Sequence, residues 1–299
     1  MTLISMAGIV GPFAATADDL VPQTSTVIDL NDNPSPAALT VLGANANDHL
    51  SGNGTANSFN TFPRAHAIVT GDFNGDGAQD VAIGAPDTDF TPAAPASPRA
   101  NAGAVYIVFG RATFPSPTTI DTNLAATSQP DIKIFGGAAE DNAGFALAAG
   151  DLNGDGAVDL AIGAPGFDAS RGNPATVHLD TGAVFILFGS TTLTARTIDL
   201  STANPANVVV IGEADGDRFG SAIAIGDVNG TASPRADLLV GAPGSQGPNP
   251  LTAARANGGA AYLLTGGPNF ENTAASIKTV DLSTTQAAVR VFGRAGSQL

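Results

Sequence analysis

Short runs of β-branched, aliphatic and aromatic residues recur along the chain, and glycine, proline or aspartate separates each run from the next. The runs are about five to eight residues long, which is typical of strands. No window shows a sustained apolar period of about 3.6 residues, so amphipathic helices are not expected. The pattern therefore predicts an all-β protein with closely spaced turns.

The apolar runs form three repeats of four strands each. They cover 65–71, 80–86, 103–110 and 131–136 in the first repeat, 145–150, 159–165, 182–189 and 208–212 in the second, and 219–226, 237–243, 259–266 and 289–293 in the third. Repeats with four strands predict the blades of a β-propeller, each a four-stranded antiparallel sheet. An extra copy of the fourth run, at 39–43, precedes the first repeat.

The repeats define the predicted organisation of the chain. Within a repeat region that covers 26–299, blades are expected at approximately 65–136, 144–212 and 219–293. Three full blades plus a leading strand would form an open arc or a fragment of a larger propeller, and we favour the fragment. Residues 1–25 are predicted to be a leader, either signal-like or disordered, because they are mildly apolar but lack a basic start.

Two further features accompany the repeats. The linkers between the second and third runs are long and polar, and they cover 87–102, 166–181 and 244–258. We interpret them as surface loops, either tolerated insertions or recognition loops. A short motif of Thr, Ile or Val, and Asp recurs at 26–30, 118–122, 197–200 and 279–282. We interpret this motif as an added edge strand or an ordered loop.

An acidic loop follows the first strand of each repeat. The loop of the first repeat offers oxygen atoms from Asp72, Asn74, Asp76, the carbonyl group of Ala78, and Asp80. The loop of the second repeat offers the same set from Asp151, Asn153, Asp155, the carbonyl group of Ala157, and Asp159. Alternate residues of a tight loop point inwards, and carboxylate-rich, oxygen-only coordination suits Ca²⁺. The sequence therefore predicts two calcium sites.

Two other interpretations of the acidic loops need to be weighed. The loops begin like EF-hand loops, but Ile83 and Ile162 stand where an EF-hand carries a bidentate Glu, and a strand-like run follows. Turns of Asp, Asn and Gly can also be stabilised by their own side-chain hydrogen bonds, without a metal. Identical ligand patterns in two successive repeats favour calcium over that simpler alternative.

The acidic loop of the third repeat departs from the pattern. Asp227, Asn229 and Asp237 remain as candidate ligands, but the Asp-Gly step is replaced and the flanking aspartates stand further apart. Arg235 is expected to bring positive charge towards this loop. We therefore interpret the third loop as a degenerate calcium site.

Composition and the remaining motifs exclude or disfavour several classes of function. The chain has 27 acidic and 12 basic side chains and a net charge of −15, so binding to nucleic acid or to anionic membranes is disfavoured. The absence of Cys excludes disulfides, thiolate zinc sites and cysteine nucleophiles. No apolar run approaches the roughly 18 residues that span a bilayer. His49, His66 and His178 lie at unrelated positions of the repeats, and no catalytic motif accompanies them.

The motifs resemble those of a known family. Phe219-Gly220 followed by Gly241-Ala242-Pro243 is similar to the FG-GAP repeat of integrin α-subunit propellers, and Gly144-Phe145 with Gly163-Ala164-Pro165 is a second copy. Bacterial proteins with tandem FG-GAP and calcium-loop motifs look closer still. The resemblance implies a β-propeller with calcium in the hairpin loop between the first two strands of a blade, held by the ligands named above. It also implies an extracellular location and a role in adhesion or ligand binding.

The leading hypothesis is therefore a calcium-binding, extracellular propeller that acts as a non-catalytic binding or cell-adhesion module. Its ligand would be a protein or glycan at the cell surface or matrix. Nucleic-acid binding and membrane insertion are not expected. Further blades would come from the rest of a parent chain or from another subunit. The alternative is an accessory propeller of a larger secreted, phospholipase-like hydrolase, since some such enzymes carry FG-GAP repeats. A purely architectural role in a matrix is a third possibility.

Overall fold

The computed structural model describes residues 25–28, 39–43, 50, 67–92, 97–112, 118–123, 128–171, 176–202, 206–230, 235–246, 258–267, 270 and 278–293. These residues form strands and turns, and no helix occurs among them. Accordingly, this part of the chain contains no helix long and apolar enough to cross a membrane. The predicted leader up to residue 24 lies outside the described residues.

Nineteen strands occur in the described residues. In chain order they are β1 Ser25–Ile28, β2 Leu39–Leu42, β3 Ile68–Gly71, β4 Asp80–Ala85, β5 Ala104–Val108, β6 Thr118–Asp121, β7 Ile132–Phe135, β8 Leu147–Gly150, β9 Asp159–Ala164, β10 Ala169–Arg171, β11 Thr176–His178, β12 Ala183–Leu187, β13 Arg196–Asp199, β14 Val208–Ile211, β15 Ala222–Gly226, β16 Asp237–Ala242, β17 Ala260–Leu264, β18 Lys278–Asp281 and β19 Val289–Phe292.

Twelve of these strands build three sheets of the same design. The first sheet is β3-β4-β5-β7, the second is β8-β9-β12-β14 and the third is β15-β16-β17-β19, and within each sheet every neighbour pairs antiparallel. The first strands of successive sheets lie beside one another, β3 next to β8 and β8 next to β15. The chain is an open, partial β-propeller, and the all-β prediction is confirmed.

Apolar side chains between successive sheets form the core. One cluster joins the first sheet to the second and includes Ile132, Ile134 and Ile162. A second cluster joins the second sheet to the third and includes Val208, Val210 and Val240. The strands β4 and β9 are buried over their whole length. Both of their faces therefore carry apolar residues, which explains why they appear as continuous apolar runs in the sequence.

Three strands cross from one repeat to the sheet before it. The strand β6 pairs in parallel with β2, β13 pairs in parallel with β7, and β18 pairs in parallel with β14. We call β6, β13 and β18 the bridging strands. Their register is constant, because the Asp that ends each one lies opposite the last residue of its partner strand, as Asp199 does with Phe135 and Asp281 with Ile211. Each bridging strand therefore ties a repeat to its predecessor.

The bridging strands show what the short Thr and Asp motif does. The motif at 118–122, 197–200 and 279–282 forms an edge strand, as expected, but on the preceding sheet rather than on its own. The copy at 26–30 behaves differently, because β1 pairs antiparallel with β2. The strand β1 thus takes the position that the third strand holds in the complete sheets.

Two features of the strands differ from the sequence expectation. The strands β8 and β15 begin at Leu147 and Ala222, later than predicted. The chain turns at Gly144 and Gly220, where φ is 87° and 95°, and the turn or bend continues up to the first residue of each strand. The linker 166–181 also contains the hairpin β10-β11, whose short polar strands carry no strand signal in the sequence.

Candidate metal-binding loops

Each acidic loop closes the hairpin between the first two strands of a sheet. The pairs at the base of the loops are Gly71 with Asp80, Gly150 with Asp159 and Gly226 with Asp237. The first and second loops are described completely, whereas 231–234 of the third loop lie outside the described residues. All three acidic segments therefore occupy equivalent places at one end of their sheets.

The first loop folds its side chains inwards around its own main chain. Asp72 accepts hydrogen bonds from the N–H groups of Asp76 and Gly77, at 3.0 and 2.9 Å. Asn74 Oδ1 accepts from Asp76 N at 3.0 Å, and Asp76 Oδ1 accepts from Ala78 N at 2.8 Å. The bond from Ala78 N lowers the pKa of Asp76, with help from the Asn74 side chain, so this exposed carboxylate is anionic at neutral pH.

The second loop repeats most of this arrangement, but Asp151 Oδ1 accepts from Gly154 N at 2.6 Å, whereas Asp72 Oδ1 accepts from Asp76 N. Asp151 Oδ2 accepts from Gly156 N at 2.9 Å, Asn153 Oδ1 accepts from Asp155 N at 2.8 Å, and Asp155 Oδ1 accepts from Ala157 N at 2.8 Å. The paired glycines of both loops have positive φ: Gly75 69°, Gly77 88°, Gly154 80° and Gly156 89°. This conformation lets the chain wrap tightly enough for alternate side chains to face inwards.

The last aspartate of each loop has a separate set of partners. Asp80 Oδ2 accepts from Phe73 N and Asn74 N at 2.9 and 3.3 Å, and its Oδ1 accepts from Gly110 N at 2.8 Å. Asp159 and Asp237 make the same three contacts with their own loops and with the glycine that follows the third strand. All three carboxylates are almost completely buried. They hold the loop, the hairpin and the end of the third strand together.

Burial has electrostatic consequences for these aspartates. It raises the pKa of Asp159 to about 7, although the three N–H groups that donate to the carboxylate act in the opposite direction. Burial likewise raises the pKa of Asp80. The neighbouring carboxylate of the same loop, Asp76 or Asp155, raises the pKa of Asp80 or Asp159 further. A cation near these groups would favour their ionised form.

The third loop keeps only part of the arrangement. Asp227 Oδ1 accepts from Gly230 N at 2.7 Å, and the Asn229 amide donates to Asp237 Oδ1 at 2.9 Å. Arg235, which was expected to bring charge to this loop, extends over Gly154 of the second loop. Thr191 lies over Gly75 of the first loop in the corresponding position. Each of the first two loops is thus contacted by one residue of the repeat that follows.

The predicted ligands fit calcium by their chemistry, and they are brought together to different degrees. Asp72, Asn74 and Asp76 surround one loop centre, as do Asp151, Asn153 and Asp155, and all offer oxygen atoms. Asp80 and Asp159 instead face main-chain donors. In the described part of the chain, no three acidic or histidine side chains converge closely enough to hold a metal ion in this arrangement. A bound cation would replace part of the hydrogen-bond network.

Sequence reasoning missed the ion pairs between repeats. Arg99 donates two hydrogen bonds to Asp199 of the next repeat, both at 2.7 Å, and its guanidinium lies 5.1 Å from the centre of the Phe90 ring. Arg171 donates to Asp281 at 2.9 Å in the next pair of repeats. The Asp in each bridging-strand motif was a visible signal, but its arginine partner lies about a hundred residues away in sequence, at |i−j| of 100 and 110.

Of the three histidines, His178 lies among the described residues. His178 Nδ1 lies 2.6 Å from Asp215 Oδ1, and the Asp215 side chain is mostly exposed. His49 and His66 lie outside the described residues.

Comparison with known proteins identifies the repeat. The family model for the FG-GAP repeat matches residues 65–108 and 143–187, which contain the first two acidic loops and the strands that flank them. The chain is also similar to phosphatidylinositol-glycan-specific phospholipase D from Bos taurus, with 38% identity over 123 residues, and to the enzymes from Homo sapiens, at 38% over 109 residues, and Rattus norvegicus, at 40% over 109 residues.

These similarities cover only part of each protein. The matched segment is 41% of this chain and 13% of the bovine enzyme, and 36% of this chain and 12% of the human and rat enzymes. The matching motifs, the hairpin position of the acidic loops and the three sheets of one design agree with one another. The chain therefore contains FG-GAP repeats at two positions, and its sheets form a partial β-propeller.

Proposed function

We propose that this chain is a calcium-stabilised, non-catalytic binding module that acts outside the cell, in adhesion or ligand binding. Calcium would bind in the first and second acidic loops, through Asp72, Asn74, Asp76 and the Ala78 carbonyl group, and through the equivalent residues of the second loop. The third loop, with Asp227, Asn229 and Asp237, would bind it weakly. The observation that carries this proposal is the identical inward-facing oxygen set in two consecutive hairpins.

The electrostatics of the loops support the calcium part of the proposal. Each complete loop holds three aspartates, and the carboxylates at its first and fifth positions face the same small volume. A divalent cation would offset their repulsion and replace main-chain hydrogen bonds with stronger ionic contacts. Because the unfolded chain lacks this arrangement, calcium binding would add directly to the free energy of unfolding.

Isothermal titration calorimetry tests the calcium sites directly. We expect the full chain to bind two Ca²⁺ ions, and Asp76→Asn and Asp155→Asn each to remove one site while the other remains. Asparagine keeps the shape and one side-chain oxygen of aspartate, so the hydrogen bond to the main chain can persist. Each variant is therefore expected to keep the parent fold, and a lost site can be assigned to the lost carboxylate. Magnesium is the matched control ion, since it demands a smaller octahedral site. Absence of calcium uptake by the folded chain would refute the calcium part.

The binding role requires a separate measurement. We expect the chain to bind an extracellular protein or glycan, and a screen of matrix proteins and glycans in calcium and in chelator would identify the class. The ligand-binding part of the proposal is refuted if the chain, shown by the titration to be loaded with calcium, retains no protein or glycan from the screen. The proposed extracellular location rests on the resemblance to the FG-GAP repeats of integrin-type propellers.

A second candidate function follows from the similarity to the phospholipases. The chain would be an accessory propeller of a larger secreted hydrolase, and it would position that enzyme without contributing to the chemistry. The two candidates differ in the neighbouring domains of the parent protein. A catalytic domain in the same polypeptide would favour the accessory role, whereas adhesion repeats or a surface anchor would favour the binding module.

A further inference from the structure

An Asn-Gly step lies in each of the three acidic loops, at 74–75, 153–154 and 229–230. At such a step, the main-chain nitrogen of the glycine can attack the side-chain amide carbon of the asparagine, because glycine has no side chain to obstruct the approach. The other Asn-Gly steps of the sequence, at 53–54 and 257–258, lie wholly or partly outside the described residues. The acidic loops therefore offer three sites at which the same reaction can be compared.

The side-chain amides of Asn74 and Asn153 are held in the same way. Oδ1 of Asn74 accepts from Asp76 N at 3.0 Å, and its Nδ2 donates to Asp76 Oδ2 at 2.8 Å. Asn153 makes the equivalent contacts with Asp155, at 2.8 and 2.9 Å. The bond to Oδ1 stabilises the negative charge that develops on this oxygen during attack. Because the two amide carbons are equally prepared, a difference in reactivity has to come from the glycine nitrogen.

The glycine nitrogens of these two loops have different partners. Gly154 N donates to Asp151 Oδ1 at 2.6 Å. In the first loop Asp72 Oδ1 accepts from Asp76 N instead, and no group in the described part of the chain accepts a hydrogen bond from Gly75 N. Gly75 is also exposed, whereas Gly154 is half-buried. The nitrogen of Gly75 can therefore turn towards the neighbouring amide without breaking a hydrogen bond.

The third loop resembles the second at this step. Gly230 N donates to Asp227 Oδ1 at 2.7 Å. The Asn229 side-chain amide also donates to Asp237 Oδ1 at 2.9 Å, at the base of the hairpin. Both contacts have to break before Gly230 N can reach the amide carbon of Asn229.

We propose that Asn74 is a site of spontaneous deamidation in the folded chain, and that the hydrogen bonds of the following glycine nitrogens protect Asn153 and Asn229. In the first step Gly75 N forms a bond to Cγ of Asn74, the bond between Cγ and Nδ2 breaks, and ammonia leaves with the hydrogen of Gly75 N. Water then opens the cyclic imide at either carbonyl carbon and leaves aspartate or isoaspartate at position 74. No other reactant takes part.

The reaction would change the first acidic loop and leave the other two intact. Aspartate at position 74 adds a fourth carboxylate to those of Asp72, Asp76 and Asp80. Isoaspartate instead carries the main chain through its side-chain carboxyl carbon, which lengthens the loop by a carbon atom and alters the spacing of its oxygen atoms. This inference goes beyond the proposed function and does not rest on it, because the reaction needs only the loop and water.

Peptide mapping of the full chain, incubated in chelator at neutral pH, tests the proposal. Cleavage after Arg and Lys puts Asn74, Asn153 and Asn229 into separate peptides, which are 65–99, 134–171 and 219–235. Mass spectrometry then follows the loss of the amide at each site. We expect Asn74 to deamidate about tenfold faster than the other two, since their glycine nitrogens must first give up a hydrogen bond to a carboxylate. Equal rates, or a slower rate at Asn74, would overturn the proposal.

The same chain in concentrated urea separates the effect of the structure from that of the local sequence. The segments 72–77 and 151–156 differ only in Phe73 and Leu152. We expect the deamidation rates of Asn74 and Asn153 to become equal in the unfolded chain. A preference for Asn74 that persists in urea would contradict the proposal, because the hydrogen bonds of the folded loops would then not set the rates.

Two matched variants test the protecting contact itself. Asp151→Ala removes the acceptor of Gly154 N, so we expect deamidation of Asn153 to become about tenfold faster. Asp72→Ala removes the corresponding carboxylate of the first loop, which accepts from other nitrogens, and its effect on the asparagine of that loop should be much smaller. An unchanged rate at Asn153 in Asp151→Ala would overturn the proposal.

The rate at Asn229 shows whether a variant has kept its fold. It should stay at the parent value in both variants, because neither change removes the partner of Gly230 N. If Asp151→Ala unfolds the chain, so that Asn229 also deamidates faster, the comparison of the three sites within the parent chain decides, since it needs no variant.

Discussion

At the scale of single residues, the last aspartate of each acidic loop has a role that is independent of any metal. Asp237 keeps its main-chain donors in a loop that has lost the Asp-Gly step of the other two. Asp80 and Asp159 have the same partners. The last aspartate of each loop therefore holds the hairpin together through main-chain donors, whether or not a cation is bound.

This role predicts unequal effects of two changes within one loop. Asp237→Ala removes the acceptor of three partly buried hydrogen bonds, so we expect the free energy of unfolding to fall by about 2 kcal/mol. Asp227→Ala, at an exposed position that accepts only from Gly230 N among the contacts described above, should cost less than about 1 kcal/mol. Urea denaturation of both variants in chelator measures the two values, and similar losses would count against the structural role.

Two buried aspartates predict how stability depends on pH. Burial raises the pKa of Asp141 to about 7 and that of Asp217 to about 6. A raised pKa in the folded state means that the native protein binds these protons more tightly than the unfolded chain. The resulting stabilisation is complete below the ordinary carboxyl pKa and is lost as the pH rises through about 6 to 7.

We therefore expect the melting temperature in chelator to fall between about pH 4 and pH 7. The double variant Asp141→Asn/Asp217→Asn should flatten this dependence and gain about 2 kcal/mol relative to the parent chain at the upper pH. Asp89→Asn, at an exposed position, controls for the loss of one surface charge. An unchanged slope in the double variant would show that other groups set the dependence.

At the scale of strands, the arginine–aspartate pairs fix each bridging strand to the preceding repeat. The Arg99 guanidinium contacts both carboxylate oxygens of Asp199 and the carbonyl group of Gly136, and the two side chains are only 12% and 21% exposed. These hydrogen bonds lower the pKa of Asp199 to about 2. The equivalent Arg171 contacts Asp281 and the carbonyl groups of Gly212 and Glu213. The link is thus present at two consecutive junctions.

Removal of such a pair should be costly because it leaves a partly buried carboxylate without its partner. We expect Arg99→Gln to lower the free energy of unfolding by about 2 kcal/mol and to speed hydrogen exchange along β13. Arg111→Gln is the control, since the Arg111–Asp131 pair is more exposed and should contribute about 1 kcal/mol or less. Equal destabilisation by the two changes would argue that Arg99 does not fix the bridging strand.

The sequence predicted the strands with a strong apolar pattern, but it did not show which strands pair across repeats. The strands β4, β9 and β12 are buried throughout, so their composition alone indicates them. The parallel partner of β13 could not be found, because pairing across a whole repeat leaves no local signal. The hairpin β10-β11 was missed because its strands are short and polar. The acidic loops could be located because the regular spacing of their Asp and Asn residues is visible in the sequence.

At the scale of the whole molecule, the chain is a series of similar sheets in which each contacts its neighbours. Apolar clusters join the first sheet to the second and the second to the third, and the bridging strands reinforce the same junctions. Stability in such an array is approximately a sum of repeat and interface contributions. The acidic loops stand at one end of these sheets, where a cation would fix the hairpin that begins each repeat.

The most direct test of this account is a crystal structure of the full chain grown with calcium, with anomalous diffraction used to locate the ion. The account predicts one peak between Asp72, Asn74 and Asp76 near the Ala78 carbonyl group, a second between Asp151, Asn153 and Asp155 near the Ala157 carbonyl group, and a weaker peak or none at the third loop. Loops that keep their main-chain hydrogen bonds and show no peak in saturating calcium would contradict it.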